Sequence, residues 1–111
     1  MKKYLVIGNP IEHSLSPKLH NFWIKENNIK AIYDKKRLNK DEIKNLIEDV
    51  KKKKINGLNV TVPYKKEIIN YLDELTPEAN KTQSVNTVFL NGGKIIGDNT
   101  DISGFELAIK K

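Results

Sequence analysis

The sequence predicts an α/β fold: a mostly parallel twisted sheet with helices on both faces and one antiparallel hairpin, in three α/β/α layers. Two observations lead to this prediction. Short apolar segments typical of buried strands alternate with segments of helical periodicity, in the order strand, helix, strand, helix, strand. Further on, strand-like residues 85–90 and 94–97 flank Asn91-Gly92-Gly93, which favours a tight hairpin. With 111 residues, we expect residues 1–111 to form one domain.

The first strand and the first helix are expected close to the start of the chain. Residues 4–8 form a continuous apolar run ended by a glycine, which is typical of a strand buried on both faces. Ser16 followed by Pro17 is a start signal for a helix. We expect this helix to begin at Pro17, with Ser16 as its N-cap, and to end near Glu26.

Two serines precede this helix and form a candidate anion site. The free amides and the positive dipole end of a helix N-terminus attract anions, and Ser14 and Ser16 lie beside them. The alternative is that Ser16 only caps the helix and that Ser14 is an ordinary loop residue. The two roles of Ser16 are compatible, because a capping hydroxyl can still donate its own proton to a ligand.

A second strand and helix follow. Residues 30–34 predict a weaker strand, and Asn39 with Glu42 three residues later resembles a capping box. Apolar residues then recur at helical spacing: Ile43, Leu46, Ile47 and Val50. Asn56-Gly57 breaks this pattern and leads into the third strand. Such βαβ units predict parallel pairing.

The third predicted strand carries the candidate polar site. Residues 58–62 alternate apolar and polar side chains, with Asn59 and Thr61 on the polar side. Pro63 cannot donate to a sheet and ends the strand, and Lys65 opens a short amphipathic helical segment. Ligands of open α/β sheets bind outside the carboxyl ends of strands, so this is a favourable place for a site. The alternative is a strand with a solvated polar side and a solvated lysine.

The last third of the chain predicts a short helix, the hairpin and a final helix. Thr76-Pro77 repeats the combination of a cap and a proline, and the two hairpin strands should be antiparallel to each other. Residues 98–101 close the hairpin. Apolar residues at helical spacing then suggest the final helix: Ile102, Phe105 and Ile109.

The composition excludes several classes of function. The chain has no cysteine, so disulfides, thiolate metal sites and cysteine nucleophiles are excluded, and we predict no metal site. The net charge is +6, but Arg37 is the single arginine, and the run Lys51–Lys54 lies at a predicted helix end, where cations complement the dipole. We therefore predict no nucleic-acid partner. No apolar run approaches the roughly 20 residues of a membrane span, and we expect a cytoplasmic protein without a membrane partner.

Four stretches together resemble the shikimate dehydrogenase family. Ser14-Leu15-Ser16-Pro17 resembles its Ser-x-Ser-Pro motif, and residues 59–65 resemble its Asn-Val-Thr-Val-Pro-aromatic-Lys motif. Val85-Asn86-Thr87 and Asn99-Thr100-Asp101, with Gly104 three residues later, resemble two more. They occur in the order and spacing of the family and cover nearly the whole chain. The resemblance is to the N-terminal, substrate-binding half of these enzymes.

The resemblance implies an oxidoreductase that interconverts 3-dehydroshikimate and shikimate with NADPH and NADP⁺, on the route to aromatic amino acids. It implies that Ser14 and Ser16 bind the substrate carboxylate. It also implies that the ring oxygens are held by Asn59, Thr61, Asn86 and Asp101. Lys65 and Asp101 are the implied catalytic pair. For Asn86 and Asp101, the alternative is that they only bridge or cap loops.

The sequence departs from the family in two places. Gln83-Ser84 stands where the family usually carries a small pair such as Gly-Ala, which could reshape the pocket wall near Asn86. No Gly-x-Gly-x-x-Gly turn follows a strand, so we expect the NADP-binding Rossmann domain to be absent from this chain.

Two alternative functions remain open. One is a stand-alone, non-catalytic binding module for a shikimate- or quinate-like acid, and the more remote one is a basic nucleic-acid-binding domain. The sequence does not determine whether shikimate or quinate is the preferred substrate, and it does not determine the oligomeric state.

Overall fold

The computed structural model describes residues 2–12, 14, 16–100 and 104–105. The strands in these ranges are β1 (Lys2–Gly8), β2 (Ala31–Arg37), β3 (Gly57–Val60), β4 (Glu74–Leu75), β5 (Thr87–Asn91) and β6 (Lys94–Asp98). The α-helices are α1 (Ser16–Glu26), α2 (Ile43–Lys51) and α3 (Pro77–Thr82), and 3-10 helices span Lys40–Glu42 and Glu67–Tyr71. No helix in this described part is both long and apolar enough to span a membrane.

The strands of the described residues form one mixed sheet, in the order β2-β1-β3-β5-β6-β4. β1 pairs in parallel with β2 and β3, and β4 pairs in parallel with β6. β5 is antiparallel to both β3 and β6. Within the described sheet, β5 alone is therefore reversed. The prediction of a mostly parallel sheet with an antiparallel hairpin is confirmed.

The core lies on both faces of the sheet, which confirms the three layers. Leu5 and Ile7 of β1 pack on the face covered by α2, with its apolar residues Leu46, Ile47 and Val50. Tyr4 and Val6 point to the opposite face and pack with Ile24 of α1. Because neighbouring residues of a strand point to opposite faces, a run of four apolar residues places β1 under helices on both sides. Complete burial of a side chain such as Ile7 stabilises the fold by roughly 1.5–3 kcal/mol.

The hairpin and the helix starts form where the local sequence predicts them. Gly92 and Gly93 form the two-residue turn between Asn91 and Lys94, with φ of 59° and 80°. Only glycine adopts such angles without a steric penalty. The Glu42 carboxylate accepts a hydrogen bond of 2.9 Å from the Asn39 amide, as in the predicted capping box. The Thr76 hydroxyl caps α3 by accepting from the Ala79 amide at 3.3 Å.

The third strand differs from its prediction. β3 ends at Val60, and Val62 is 63% exposed, although the sequence pattern groups it with the buried Leu58 and Val60. The chain turns at Val62 and Pro63, and the Tyr64 amide donates to the Thr61 carbonyl at 3.1 Å. This turn rotates Val62 away from the core.

Three other elements differ from the predictions or lie partly outside the described residues. Lys65 lies in a loop, because the following helix is a 3-10 helix that begins only at Glu67. The short strand β4 was not predicted, because two residues are too few to show a periodicity. Of the predicted final helix, Ile102 and Ile109 lie outside the described residues, whereas Phe105 is buried against the α1 face of the sheet.

Candidate functional site

The strand order places a crevice beside β1. From β1 the chain crosses to β2 on one side and then returns to β3 on the other side. Loops that follow the carboxyl ends of β1 and β3 therefore separate at this point of the sheet, which is where ligands bind in open α/β folds. The loops touch at one point, where the Asn9 amide donates to the Val62 carbonyl at 3.1 Å.

A cleft of about 250 Å³ opens at this crevice. Its lining residues come from β1, from the loop between β1 and α1, and from the end of β3: Val6, Pro10, Ile11, Ser14, Ser16 and Thr61. Hydroxyl groups thus face an apolar floor, as in many sites for small organic ligands. The structure brings the predicted residues Ser14, Ser16 and Thr61 together, although Thr61 lies far from the serines in the sequence.

The start of α1 presents hydrogen-bond donors to the cleft. α1 begins at Ser16, one residue before the predicted start, and the Ser16 amide donates to Ser14 Oγ at 3.3 Å. The hydroxyl oxygen that accepts from the start of the helix is therefore that of Ser14 and not that of Ser16. The hydroxyl proton of Ser14 stays available for a ligand. An anion in the cleft would meet hydroxyl donors and the positive end of an 11-residue helix.

Cations from the carboxyl end of β2 border the same loop. Lys35 Nζ donates to the Glu12 carbonyl at 2.8 Å, and Arg37 Nε donates to Asn9 Oδ1 at 3.2 Å. Arg37 also pairs with the Glu12 carboxylate at 3.7 Å, but both side chains are more than half exposed, so this pair contributes little stability. These contacts hold residues 9–12 against β2.

Close contact between Gly8 and Thr61 sets one wall of the cleft. A Cβ at Gly8 would lie 2.5 Å from Thr61 Cγ2 and 2.9 Å from the Val62 carbonyl oxygen. Any side chain at position 8 would push the loop that carries Thr61 away from β1. The glycine that ends the first strand is therefore required by packing at the site.

We expect Gly8→Ala to lower the free energy of unfolding by about 1–3 kcal/mol, as other overpacked sites do. It should also shift the amide resonances of Thr61 and Val62. Denaturant unfolding and NMR spectra measure these two effects. Gly57→Ala is the matched control, because its Cβ would meet the Tyr4 ring at 3.0 Å and the Val88 carbonyl oxygen at 3.5 Å, at the other end of β3. Unchanged Thr61 and Val62 signals in Gly8→Ala would contradict this account of the wall.

The Asn59 side chain connects β2 to the start of β5. Asn59 Oδ1 accepts a hydrogen bond of 2.5 Å from the hydroxyl of Tyr33. Its Nδ2 donates to the Asn86 carbonyl at 3.1 Å and to Thr87 Oγ1 at 3.3 Å. Both amide hydrogens are thus used within the protein, and one lone pair of Oδ1 remains for a ligand.

The Asn86 side chain holds the loop that leads to Asp101. Its Nδ2 donates to the Thr100 carbonyl at 2.7 Å and to Asn99 Oδ1 at 3.3 Å. Its Oδ1 accepts from the Thr100 amide at 2.9 Å and from Thr87 Oγ1 at 3.0 Å. The bridging role considered for Asn86 is therefore present. Asp101 itself lies outside the described residues.

Lys65 is half-buried in the loop after β3. Its carbonyl accepts a hydrogen bond of 2.8 Å from the Val85 amide, so Lys65 and Asn86 lie on adjoining segments. Among the hydrogen bonds and ion pairs of the described residues, none involves Lys65 Nζ. The ammonium group is therefore available to a ligand from within the described part of the site.

Gln83-Ser84 affects the end of α3. Gln83 is exposed and adopts a left-handed conformation, with φ of 53°, which glycine would adopt without strain. The Ser84 carbonyl accepts a hydrogen bond of 3.2 Å from Asn99 Nδ2. The helix end thus accounts for the glycine of the family pattern, which Gln83 replaces in a left-handed conformation, and Ser84 supports, through its carbonyl, the loop that Asn86 holds.

Sequence reasoning missed Tyr33, which it treated only as part of a weak strand. The ring is 1% exposed, and the hydroxyl contacts Asn59, which is 26 positions away in the chain. Asn21 of α1 was also missed. It donates to the Tyr33 carbonyl at 2.6 Å and accepts from the Tyr33 amide at 2.9 Å. No local pattern predicts these contacts, because each depends on where β2 lies in the sheet.

Comparisons with known proteins agree with this geometry. A family profile described as the shikimate dehydrogenase substrate binding domain matches residues 6–88. The shikimate dehydrogenase (NADP(+)) of Pelagibacter ubique is 60% identical over 110 residues, which are 99% of this chain and 42% of that protein.

Two solved structures of shikimate dehydrogenases are also similar to this chain. Shikimate dehydrogenase from Aquifex aeolicus has a TM-score of 0.85 and 42% identity, covering 99% of this chain and 41% of the other. Shikimate 5-dehydrogenase from Thermus thermophilus, solved in complex with shikimate, has a TM-score of 0.85 and 33% identity, covering 99% of this chain and 42% of the other. The chain spans about two-fifths of the length of the relatives that it matches.

Proposed function

This chain belongs to the family of shikimate dehydrogenase substrate-binding domains, and from that premise we propose that it is the substrate-binding half of an NADP-dependent oxidoreductase. The proposed reaction interconverts 3-dehydroshikimate and shikimate. The observation that carries the proposal is the cleft at the carboxyl ends of β1 and β3. It brings together the hydroxyls of Ser14, Ser16 and Thr61.

The proposed carboxylate subsite is the start of α1. The Ser14 and Ser16 hydroxyls can each donate one proton to a carboxylate, and the helix dipole favours the negative charge. Hydrogen bonds to a charged group are stronger than those between neutral groups. We propose that this end of the cleft selects for an acid and fixes its orientation.

The proposed subsite for the ring oxygens lies at the ends of β3 and β5. Thr61 lines the cleft. Asn59 retains one lone pair of Oδ1, and Asn86 can release its longer hydrogen bond of 3.3 Å to Asn99 in favour of a ligand hydroxyl. Asp101 is proposed as the further oxygen ligand, on the basis of the family motif.

Lys65 and Asp101 are the proposed catalytic pair. Oxidation of a secondary alcohol to a ketone removes a hydride from carbon and a proton from the hydroxyl. Lys65 Nζ is proposed to take that proton or return it in the reverse direction, and a lysine also stabilises negative charge on the oxygen. Asp101 would hold the same hydroxyl and assist the proton transfer.

The residues of this chain do not fit a dinucleotide. The turn after β1 carries Pro10 and Ile11, and no Gly-x-Gly-x-x-Gly occurs in the 111 residues. We propose that NADP is bound by a part of the protein outside these residues, since the names of the relatives include NADP(+). The missing fingerprint also favours the second candidate function, which is a non-catalytic module that binds a shikimate- or quinate-like acid.

We expect shikimate to bind this chain with a dissociation constant near millimolar, about −4 kcal/mol. An NMR titration should shift the amide signals of Ser14, Ser16, Thr61 and Lys65. The affinity is modest because a cleft that is open on one side leaves its polar groups hydrated. Quinate tests selectivity, and benzoate, which lacks the ring hydroxyls, is the control. Absence of any shift with shikimate would reject the proposed substrate site.

Catalysis requires the cofactor-binding part. This chain alone, given shikimate and NADP⁺, should form no NADPH. A chimera with the remainder of the Pelagibacter relative should restore the activity, because the two sequences are 60% identical over 110 residues. A binding module would bind shikimate but give an inactive chimera, whereas turnover by this chain alone would contradict the half-enzyme proposal.

A further inference from the structure

Tyr33 lies between the two ends of the proposed site. Its strand, β2, is at the edge of the described sheet, and the Asn21 side chain of α1 bonds to both its amide and its carbonyl. The ring is buried and stacks 4.5 Å from the His20 ring. Tyr33 is therefore fixed to α1, the helix whose first turn carries Ser16.

The Tyr33 hydroxyl must be the donor to Asn59. If the Asn59 amide were flipped, its oxygen would face the Asn86 carbonyl oxygen, and two acceptors repel each other. With Nδ2 donating to Asn86 and Thr87, Oδ1 faces Tyr33 at 2.5 Å and can only accept. The single hydroxyl proton of Tyr33 is therefore committed to Asn59.

The Tyr33 hydroxyl keeps the proton that it donates. Burial raises the pKa of Tyr33 above the ordinary value of 10.0, and an interaction with the Ser16 side chain opposes part of this rise. The hydroxyl is therefore protonated at physiological pH and remains a donor to Asn59.

We propose that Tyr33 is a positioning residue that couples α1, the helix of the carboxylate subsite, to the ring-oxygen subsite. Its backbone is bonded to Asn21 of α1, and its hydroxyl proton orients the Asn59 amide. Asn59 in turn aligns Asn86 and Thr87, and Thr87 Oγ1 lies 2.8 Å from Thr100 Oγ1. This series of contacts ends at Thr100, the residue before Asp101 in the sequence. The inference rests on the proposed function for the identity of the ligand.

The coupling defines what happens when an acid binds. Tyr33 continues to donate to Asn59, and no proton is transferred. The spacing of the subsites is therefore set before the ligand arrives, which reduces the entropy lost on binding.

Tyr33→Phe tests the proposal, with Tyr4→Phe as the matched control. Both rings are buried on the same face of the sheet and meet Phe105 edge-on, with centroids 5.9 Å apart. The Tyr4 hydroxyl takes part in none of the hydrogen bonds of the described residues. Each variant removes one oxygen and keeps the ring, so the packing contribution is matched.

The first measurement needs no ligand. In NMR spectra, Tyr33→Phe should shift the signals of the Asn59 side-chain amide, Thr87 and Thr100. Tyr4→Phe should leave all of these signals unchanged. If Tyr33→Phe moves only the signals of its ring neighbours His20 and Phe105, positioning by the hydroxyl is wrong, whatever the ligand.

The second measurement uses shikimate. Tyr33→Phe should weaken binding about tenfold, the effect of one or two hydrogen bonds, while the midpoint of thermal unfolding stays within a few degrees of the parent. In the chimera, KM should rise about tenfold with little change in kcat, since Tyr33 does not contact Lys65. In an Asn59→Ala background the effect on affinity should shrink, because the side chain that the Tyr33 hydroxyl orients is gone.

The outcomes separate the two proposals. If the parent chain binds shikimate and Tyr33→Phe binds it equally well, Tyr33 is not a positioning residue. If the effect is undiminished in the Asn59→Ala background, the coupling through Asn59 is wrong. If the parent chain does not bind shikimate, the proposed function fails, and the ligand-free spectra still decide the role of Tyr33.

Discussion

In the chimera, Lys65→Met is expected to reduce kcat for shikimate oxidation by about a hundredfold to ten-thousandfold, the usual value of general acid–base catalysis. KM should change little, because the proposed substrate contacts are mainly those of the serines and the amide groups. Methionine keeps the length of the side chain and removes the ammonium group. Steady-state kinetics at saturating cofactor separate the two parameters.

The neighbouring residue supplies the control for this experiment. Lys66 is exposed in the same loop, so Lys66→Met removes the same charge without touching the cleft and should leave both parameters unchanged. Asp101→Asn should lower kcat and raise KM together, because its proposed role includes a substrate contact. Retention of most of the turnover in Lys65→Met would remove this lysine from the mechanism.

The double variant Ser14→Ala/Ser16→Ala is expected to weaken shikimate binding by about 1–3 kcal/mol, since hydrogen bonds to a charged group are lost. This corresponds to roughly a fivefold to hundredfold change in the dissociation constant. Calorimetric or NMR titration of this chain measures the change. The affinity for a neutral analogue, such as the methyl ester of shikimate, should fall much less.

The single variants separate binding from stability. Ser14 Oγ accepts from the Ser16 amide, so Ser14→Ala should also cost about 1 kcal/mol of folding free energy. Ser16→Ala should reduce affinity with a smaller effect on stability. Ser84→Ala is the control, because Ser84 contributes its carbonyl, not its hydroxyl, to the loop contacts. Unchanged shikimate affinity in the double variant would place the carboxylate elsewhere.

Local sequence signals predicted the elements that depend on near neighbours. The apolar run at residues 4–7 predicted a doubly buried strand, because neighbouring side chains of a strand point to opposite faces and both faces must then be covered. The turn at Gly92-Gly93 was predicted because few residues other than glycine adopt two consecutive positive φ angles. The motifs with Ser14, Ser16 and Thr61 also predicted three residues that share the cleft.

The sequence by itself therefore determined the fold class and the family, and it predicted the residues of the candidate site. The tertiary structure alone decided that Val62 faces solvent, that β4 pairs with β6, that Ser14 supports the start of α1, and that Tyr33 joins α1 to Asn59. The physical reason is the range of the interactions. Periodicity and capping act within a few residues, whereas the partners of Tyr33 and Asn59 are brought together only when distant strands take their places in one sheet.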